Sequence, residues 1–278
     1  MRLGITARPD VREPPDLAAR VARFAEERGA VAIMDTDIVE TTGWAGAQAP
    51  LSEMEIDVLV TVGGDGTILR ALQHIDRPLL SINMGALGFL TEVTPEMWRE
   101  GITRLLEGEY SIDARSKIET WVDDERQPDA VNEAVIHTTQ ISKMRHFYVV
   151  IDEHPALDFR ADGLIVATPT GSTCYAMSVG APIVDPKAPV MIIVPIAPFN
   201  LSARPLVISA ESEVEVTLLD GKDALLVLDG QIKREIAPDV DLRFVRSPNE
   251  ARFIRFDTDF YSRFRRKLAR LMASEAGP

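Results

Sequence analysis

The pattern of apolar residues changes once along the chain, near Tyr110, and this change limits the folds that the chain can adopt. Before it, short apolar runs alternate with segments of helical periodicity, and after it β-like runs dominate. Alternating strands and helices predict a mostly parallel sheet covered by helices on both faces. The predicted strands are 2–6, 31–34, 56–62 and 78–83, the predicted helices are 16–28, 67–74 and 94–106, and 41–50 is expected to be a loop.

The later part of the chain reads as a series of short strands separated by turn signals such as Asp220-Gly221. We therefore expect an α/β domain at 1–108 followed by a β-rich domain at 109–256. One helix is predicted within the second domain, at Ser172–Val179. The tail 257–278 carries an amphipathic helix that we expect to pack back on the first domain. The strands predicted in the second domain are 118–122, 131–137, 147–152, 163–168, 190–194, 205–208, 213–219, 224–229, 232–236, 241–246 and 251–256.

Charge and cysteine content exclude several classes of protein. Thirty Lys and Arg residues against 43 Asp and Glu give a net charge of −13, which disfavours general binding to nucleic acids or anionic membranes. The single cysteine, Cys174, excludes a disulfide framework and a cysteine-rich zinc site. The most apolar stretch, 188–201, is interrupted by prolines and is too short to span a bilayer. We expect a cytoplasmic protein with neither a nucleic-acid nor a membrane partner.

The turn Gly63-Gly64-Asp65-Gly66-Thr67 joins a strongly apolar strand to a helix. In a parallel sheet this edge is where ligands bind, and glycines let the backbone approach phosphate oxygens. A carboxylate there must either bind a metal or accept a hydroxyl proton. The structural alternative is a tight turn in which Asp65 caps the helix. The turn matches neither the P-loop nor the G-x-G-x-x-G dinucleotide pattern.

A second glycine-containing segment, 83–90, follows the next predicted strand. Its two glycines flank apolar residues, so the loop could lie against a flat ring or a sugar. Alternatively, Leu87 and Phe89 could plug the loop into its own domain.

The segment Asp162–Tyr175 predicts a second strand–turn–helix anion site, rich in hydroxyls and with a tyrosine able to stack on a base. A simple Ser/Thr helix cap would explain one hydroxyl but not four. Two shorter motifs are ambiguous by themselves. The pair Asn132-Glu133 suits a base edge or a ribose but is also a common solvated turn, and Asp229-Gly230-Gln231 reads as a two-residue hairpin turn.

Together the segments GGDGT at 63–67, NxGxLGFL at 83–90, NE at 132–133, DGLIxxTPTGSTxY at 162–175 and DGQ at 229–231 resemble the NAD kinase family. GGDGT is also found in diacylglycerol-type lipid kinases. The TPTGSTxY segment together with the NE pair narrows the resemblance to the NAD kinase family. The resemblance implies transfer of the γ-phosphate of ATP, or of another donor such as polyphosphate, to the 2′-hydroxyl of the adenosine ribose of NAD. A lipid kinase and a catalytically inactive nucleotide sensor remain alternatives.

The resemblance also implies roles for individual residues. Asp65 is expected to accept the proton of the 2′-hydroxyl, with Gly66 against the same ribose. Mg²⁺ is expected with the donor, its protein ligands unknown, and a homodimer or homotetramer is expected because relatives complete the site across subunits. The other residues implied in NAD binding are Asn132, Glu133, Lys143, Arg160, Asp162, Thr173, Cys174, Tyr175, Ala176, Met177, Ser178 and Gln231, and those implied around the donor phosphates are Gly63, Gly64, Thr67 and Arg70.

Overall fold

The computed structural model describes residues 1–85, 88–140, 143–200, 202–238, 240–256, 259–265 and 269. The chain divides into two compact units, the first formed by Met1–Ala114 with Ala251–Pro278 and the second by Arg115–Glu250. The predicted boundaries at 108/109 and 256/257 differ from this division. Residues 251–256 belong to the first unit because Phe253 pairs in parallel with Leu79 of its sheet, a long-range pairing that local sequence does not reveal.

Unit 1 contains a parallel sheet in the order β5-β4-β1-β2-β3, with the end of the last strand of the chain beside β5. This arrangement confirms the predicted α/β architecture. Its elements are β1 (Arg2–Ala7), α1 (Glu13–Glu26), β2 (Val31–Asp35), α2 (Thr36–Thr42), β3 (Gln48–Ala49), β4 (Val58–Gly63), α3 (Asp65–Leu72), β5 (Leu79–Asn83) and α4 (Trp98–Glu107).

The core of unit 1 forms where the amphipathic helices meet the sheet. Every residue of β4 and β5 is buried, which explains why apolar residues predominate in both strands. Phe24 of α1 meets Trp98 of α4 edge to face at 5.1 Å between ring centroids. The sequence did not predict helix α2, the end of which falls in the predicted loop 41–50, because a helix of seven residues is too short to show a helical period of apolar residues. The helix begins where the Asp35 side chain accepts a hydrogen bond from the Asp37 amide.

Unit 2 is β-rich, as predicted, and consists of antiparallel sheets. One sheet has the order β13-β12-β11-β8-β15-β16, and in the other β10, β9, β14 and β17 lie side by side. Its elements are β6 (Ser111–Val122, entering from unit 1), β7 (Glu125–Arg126), β8 (Glu133–Thr138), β9 (Arg145–Ile151), β10 (His154–Ala161), β11 (Gly163–Ala167), α5 (Tyr175–Ser178), β12 (Val190–Ile196), β13 (Leu206–Ser209), β14 (Val214–Leu218), β15 (Ala224–Leu228), β16 (Ile232–Ile236) and β17 (Asp241–Arg255, ending in unit 1).

Two strands of unit 2 differ from the prediction. β10 was missed because most of its residues are exposed and a proline, Pro155, stands near its start. Its conformation is held by pairing with β9 in a hairpin. The run 241–246 and most of the run 251–256, predicted as separate strands, belong to the single strand β17, which pairs with β14 near its start and with β5 near its end. Apolar side chains from the two sheets, including Phe147, Phe244 and Ile136, make the core of this unit.

Residues 260–265 and 269 are helical, in the tail where the sequence predicts an amphipathic helix. Arg263 pairs with Glu92 at 2.6 Å, and the Phe264 ring stacks on Phe89 at 6.5 Å, so this part packs within unit 1 as expected. The remainder of the predicted tail helix lies outside the described residues. Among the helices that the structure describes, none combines the length and apolar character needed to cross a bilayer.

Candidate active site

The glycine-rich turn of unit 1 places Asp65 at the carboxyl end of the central strand. β4 ends at Gly63, Gly64 is the N-cap of α3, and Asp65 is its first residue. Asp65 is half-buried, Gly66 is exposed and Thr67 is buried. The amide groups of the first turn of a helix lack intrahelical acceptors, so this turn presents both a carboxylate and N–H donors. The two groups suit a hydroxyl beside a phosphate.

Both oxygens of the Asp65 carboxylate are held by the loop that follows β5. The Phe89 amide donates to Oδ2 at 2.9 Å, and the Leu90 amide donates to Oδ1 at 3.2 Å. Gly88 lies so close that a β-carbon there would sit 2.0 Å from Oδ1 of Asp65. The 88–90 segment therefore fixes the orientation of the carboxylate. This role differs from the predicted contacts of the loop, which were a flat ring, a sugar or the core. Leu87, predicted as one of the core contacts, lies outside the described residues.

Replacing Gly88 by alanine is expected to displace either Asp65 or the loop, and to lower turnover of the activity proposed below at least about 10-fold, because small misplacement of a reacting group is costly. Gly85→Ala is the matched control, since a β-carbon at Gly85 meets nothing within 4 Å. Steady-state kinetics of the two variants test this prediction. Equal activity of the two would show that the Asp65 geometry tolerates the methyl group.

Arg70, predicted to lie near the donor phosphates, is engaged by side chains of its own unit. Its guanidinium contacts Asp35 at 3.2 Å, Asp37 at 2.8 Å and the Thr6 hydroxyl at 2.8 Å. The side chain therefore ties α3 to the carboxyl ends of β1 and β2. A contact with donor phosphates stays a prediction.

Within unit 2, three of the motifs meet at the ends of three neighbouring strands. Glu133, at the start of β8, stands opposite Ala167, the last residue of β11, and the next residue, Ala134, stands opposite Leu228, the last residue of β15. This register places the NE pair between the TPTGST turn and the DGQ turn. The separation of these motifs along the chain hid their proximity.

The buried side chain of Asp229 holds the NE segment from one side. Its Oδ2 accepts from the Val131 amide at 2.8 Å, and its Oδ1 accepts from the Asn132 amide at 2.7 Å and the Glu133 amide at 3.1 Å. Asp229 and Gly230 have φ angles of 51° and 68° and lie in the hairpin connection between β15 and β16. The predicted hairpin is present, but its predicted length of two residues was wrong, because Leu228 pairs with Ile232 and leaves three residues between the strands. The role of the Asp229 carboxylate could not be read from the sequence, because its hydrogen-bond partners lie almost one hundred residues away.

The TPTGST turn holds the same segment from the other side. The Thr168 amide donates to the Asn132 carbonyl at 2.9 Å, and the Thr168 hydroxyl donates to the Val131 carbonyl at 2.6 Å. A β-carbon at Gly171 would lie 2.1 Å from the Asn132 carbonyl oxygen, so this position requires glycine. Within the described residues, Oδ1 of Asn132 and Oε2 of Glu133 are buried without a hydrogen-bond partner. Buried polar atoms normally have partners, so these two atoms mark a place for a polar ligand.

Burial raises the pKa values of the two acidic side chains of this cluster, Glu133 and Asp229. Burial, with the nearby Asp229 charge, raises the pKa of Glu133 to about 8. Burial also raises the pKa of Asp229, to about 6, against the opposing effect of its three backbone hydrogen bonds. At neutral pH the pair therefore carries mainly one negative charge, on Asp229, and a protonated Glu133 can donate a hydrogen bond to a ligand.

The hydroxyl groups of the TPTGST turn mostly donate hydrogen bonds to backbone carbonyls of the same turn. The Ser172 hydroxyl donates to the Pro169 carbonyl at 2.7 Å, and the Thr173 hydroxyl donates to the Thr170 carbonyl at 3.2 Å. The predicted helix at Ser172–Val179 is instead a 3₁₀ turn at Gly171–Thr173 followed by α5, and Cys174 interrupts it with a non-helical backbone. Tyr175 and Ser178 are exposed, Ala176 is buried, and Cys174 and Met177 are half-buried.

Three residues implied in NAD binding lie at the opposite end of β8 from Glu133. The Thr138 amide donates to the Asp162 carbonyl at 2.8 Å, and the Thr138 hydroxyl donates to the Lys143 carbonyl at 2.7 Å. Arg160 is exposed near the end of β10. The five residue steps of β8 separate this end from Glu133 by about 17 Å. Within one chain, Lys143, Arg160 and Asp162 therefore lie far from the NE pair. Gln231, by contrast, lies in the hairpin connection beside Asp229.

Among the described residues, the acidic and other ligating side chains around Asp65 do not converge on a metal site. The part of the chain that the structure describes has no group of three or more His, Cys, Asp or Glu residues able to hold a metal ion. Each oxygen of Asp65 already accepts a backbone hydrogen bond. These described residues do not form a protein cage for Mg²⁺, an ion that commonly binds through nucleotide phosphates and water.

Comparison with known proteins covers both units. Residues 3–110 match the ATP-NAD kinase N-terminal domain, and residues 131–256 match the ATP-NAD kinase C-terminal domain. A protein named NAD kinase from Pyrococcus furiosus is 42% identical over 274 residues, covering 96% of this chain and 99% of that protein. One from Methanothermobacter thermautotrophicus is 44% identical over 273 residues, covering 96% of each.

Two solved structures are also similar. The crystal structure of an NAD kinase from Archaeoglobus fulgidus in complex with ATP has a TM-score of 0.78 and 28% identity, over 97% of this chain and 98% of that one. Yeast NADH kinase complexed with NADH has a TM-score of 0.87 over 97% of this chain and 87% of that one, and at 21% identity it supports the fold alone. Because domain models match both units and relatives above 40% identity span the chain, the resemblance seen in its motifs is confirmed and the protein belongs to the NAD kinase family.

Proposed function

We propose that this protein is an NAD kinase that transfers the γ-phosphoryl group of ATP to the 2′-hydroxyl of the adenosine ribose of NAD. The bond between the 2′-oxygen and the γ-phosphorus forms as the bond from that phosphorus to the β–γ bridging oxygen breaks, which gives NADP and ADP. The 2′-hydroxyl proton passes to a carboxylate. The observation that carries the proposal is the fixed carboxylate of Asp65 at the mouth of the parallel sheet.

Asp65 is suited to orient a ribose hydroxyl. Each of its oxygens accepts one backbone hydrogen bond, and a carboxylate has about four lone-pair sites, so further acceptor capacity remains. Phosphoryl transfer has a loose transition state, so positioning matters more than the strength of the base. A carboxylate therefore serves by aligning the 2′-oxygen and accepting its proton late. Gly63, Gly64, Thr67 and the first amides of α3 would face the donor phosphates.

In unit 2 the proposed NAD contacts are the unpartnered atoms of Asn132 and Glu133. The amide of Asn132 suits a base edge or a ribose, and a protonated Glu133 suits an acceptor. Tyr175 is exposed enough for its ring to stack on a base. The other residues of unit 2 that we propose near NAD are Thr173, Cys174, Ala176, Met177, Ser178 and Gln231, and in unit 1 Gly66 would lie against the same ribose as Asp65.

Lys143, Arg160 and Asp162 would complete a site only from a second chain, because one chain holds them at the far end of β8 from Glu133. This separation supports the proposed homo-oligomer. Mg²⁺ is proposed as an ion that arrives on the donor phosphates. The cytoplasmic location inferred from composition stays a prediction.

The test is an assay of purified protein with NAD, ATP and MgCl₂, in which mass spectrometry detects NADP and phosphorus NMR locates the new phosphate on the 2′-oxygen. Parallel reactions replace ATP by polyphosphate and NAD by NADH, to define donor and acceptor. Phosphorylation of diacylglycerol without NADP formation would contradict the proposal in favour of a lipid kinase. Binding of NAD without turnover of any donor would indicate a sensor.

A further inference from the structure

A buried ionic cluster lies in unit 1, outside every motif discussed so far. The Glu92 carboxylate, only 3% exposed, contacts Arg263 at 2.6 Å and Arg255 at 3.1 Å, and both arginine side chains are 7% exposed. Arg255 also contacts Asp113 at 3.2 Å. Buried charges are costly unless they are paired and hydrogen-bonded, and a buried ion pair is weak evidence of stabilisation, so the three buried groups Glu92, Arg255 and Arg263 invite a search for a further role.

The same arginines bind the backbone that orients Asp65. Arg255 donates to the Leu90 carbonyl at 2.8 Å, and Arg263 donates to the Thr91 carbonyl at 3.4 Å. Leu90 is also the residue whose amide donates to Oδ1 of Asp65. Contacts therefore connect Arg263 of the C-terminal helix to the backbone at Thr91, and the amide of the preceding residue to the carboxylate of Asp65.

A stack of aromatic rings supports the other residue that contacts Asp65. Phe89, whose amide donates to Oδ2 of Asp65, lies against Phe264 with ring centroids 6.5 Å apart. Phe264 in turn stacks on Phe260 of the same helix at 6.1 Å. The C-terminal helix thus contacts the 89–92 segment both through charge and through aromatic rings.

We propose that Arg263, acting with Glu92 and Phe264 on the 89–92 segment, is a positioning residue for Asp65. The expected effect on kcat rests on the proposed function, whereas the expected effect on amide hydrogen exchange in the 88–93 segment rests on the structure alone. The helix holds the peptide groups of Phe89 and Leu90 at the distance and angle at which both amides donate to the carboxylate. Loss of this support leaves the substrate sites in place but misaligns the group that receives the hydroxyl proton.

Arg263→Met, which removes the charge and the N–H donors, is expected to lower kcat about 10- to 100-fold while the KM for NAD changes less than about twofold. Arg263→Lys keeps the charge opposite Glu92 but lacks the planar guanidinium that contacts both Glu92 and the Thr91 carbonyl, so it is expected to recover only part of the activity. The matched control is Arg252→Met, which removes an arginine of the same region that pairs with the exposed Asp76 at 3.1 Å. The control is expected to have wild-type kcat.

A double-variant cycle separates positioning from general stability. In an Asp65→Asn background, Arg263→Met is expected to cause no further loss of kcat, because the group that it positions is already disabled. Additive losses, or a loss of kcat that matches the fraction of unfolded protein, would overturn the proposal. If Arg263→Met does not fold, Phe264→Leu replaces it, with an expected fall in kcat of about 2- to 10-fold.

Amide hydrogen exchange gives a readout that does not depend on activity. Arg263→Met is expected to speed exchange in the peptide that contains residues 88–93, whereas Arg252→Met leaves it unchanged. Unchanged exchange in that peptide would overturn the inference even if the protein is an active NAD kinase. Absence of NADP formation by the wild-type protein would refute the proposed function instead, and the exchange result would still decide the role of Arg263.

Discussion

Asp65→Asn is expected to lower kcat for NAD phosphorylation about 10²- to 10⁴-fold, with NAD binding largely retained. The amide side chain cannot accept the 2′-hydroxyl proton. It also offers only one acceptor oxygen, so its NH₂ group must face either the Phe89 or the Leu90 amide, which are both donors. Initial rates at saturating NAD and ATP measure kcat, and calorimetry measures the dissociation constant for NAD.

Asp16→Asn provides the control for this experiment, because Asp16 is an exposed acid in the first turn of α1. Its kcat is expected to equal that of the wild-type protein. Retention of full activity by Asp65→Asn would show that the carboxylate has no catalytic role. Loss of NAD binding in parallel with kcat would show instead that Asp65 serves mainly to bind the substrate.

Glu133→Gln is expected to stabilise the unliganded protein at alkaline pH. The pKa of Glu133 is raised from 4.5 to about 8 by burial and by the Asp229 charge, so the folded state holds this proton more tightly than the unfolded state. The free energy of unfolding therefore falls as pH rises from 4.5 to about 8. Glutamine mimics the neutral acid and removes this loss, which is on the order of 3–5 kcal/mol above the folded pKa.

Urea unfolding at about pH 5 and about pH 9 measures the effect, with the variant gaining stability over the wild type only at the higher pH. Glu235→Gln, on the exposed face of β16, is the control and is expected to change stability by less than about 0.5 kcal/mol at either pH. A Glu133→Gln variant that gains nothing at alkaline pH would mean that Glu133 is ionised without penalty in the folded protein.

The predictable parts of the fold are those in which neighbouring residues decide the conformation. The apolar sequence of β4, the glycine turn and the start of α3 were all found within two residues of their observed bounds, because burial on both faces leaves a continuous apolar run. β10 was missed although residues 157–161 alternate between apolar and polar, because the start of the strand is exposed and contains Pro155, and the conformation depends on pairing with β9. The same long-range pairing moved 251–256 into unit 1.

Local sequence by itself determined the α/β and β-rich halves and the glycine-rich turn between β4 and α3, and the resemblance of its motifs singled out Asp65. Only the tertiary structure revealed that Phe89 and Leu90 hold Asp65, that Asp229 holds Asn132 and Glu133, and that Arg263 reaches the loop beside the glycine-rich turn. Propensity and periodicity act over a few residues, whereas these hydrogen bonds join groups far apart in the chain. Such contacts exist only after the sheets have set the register that brings their partners together.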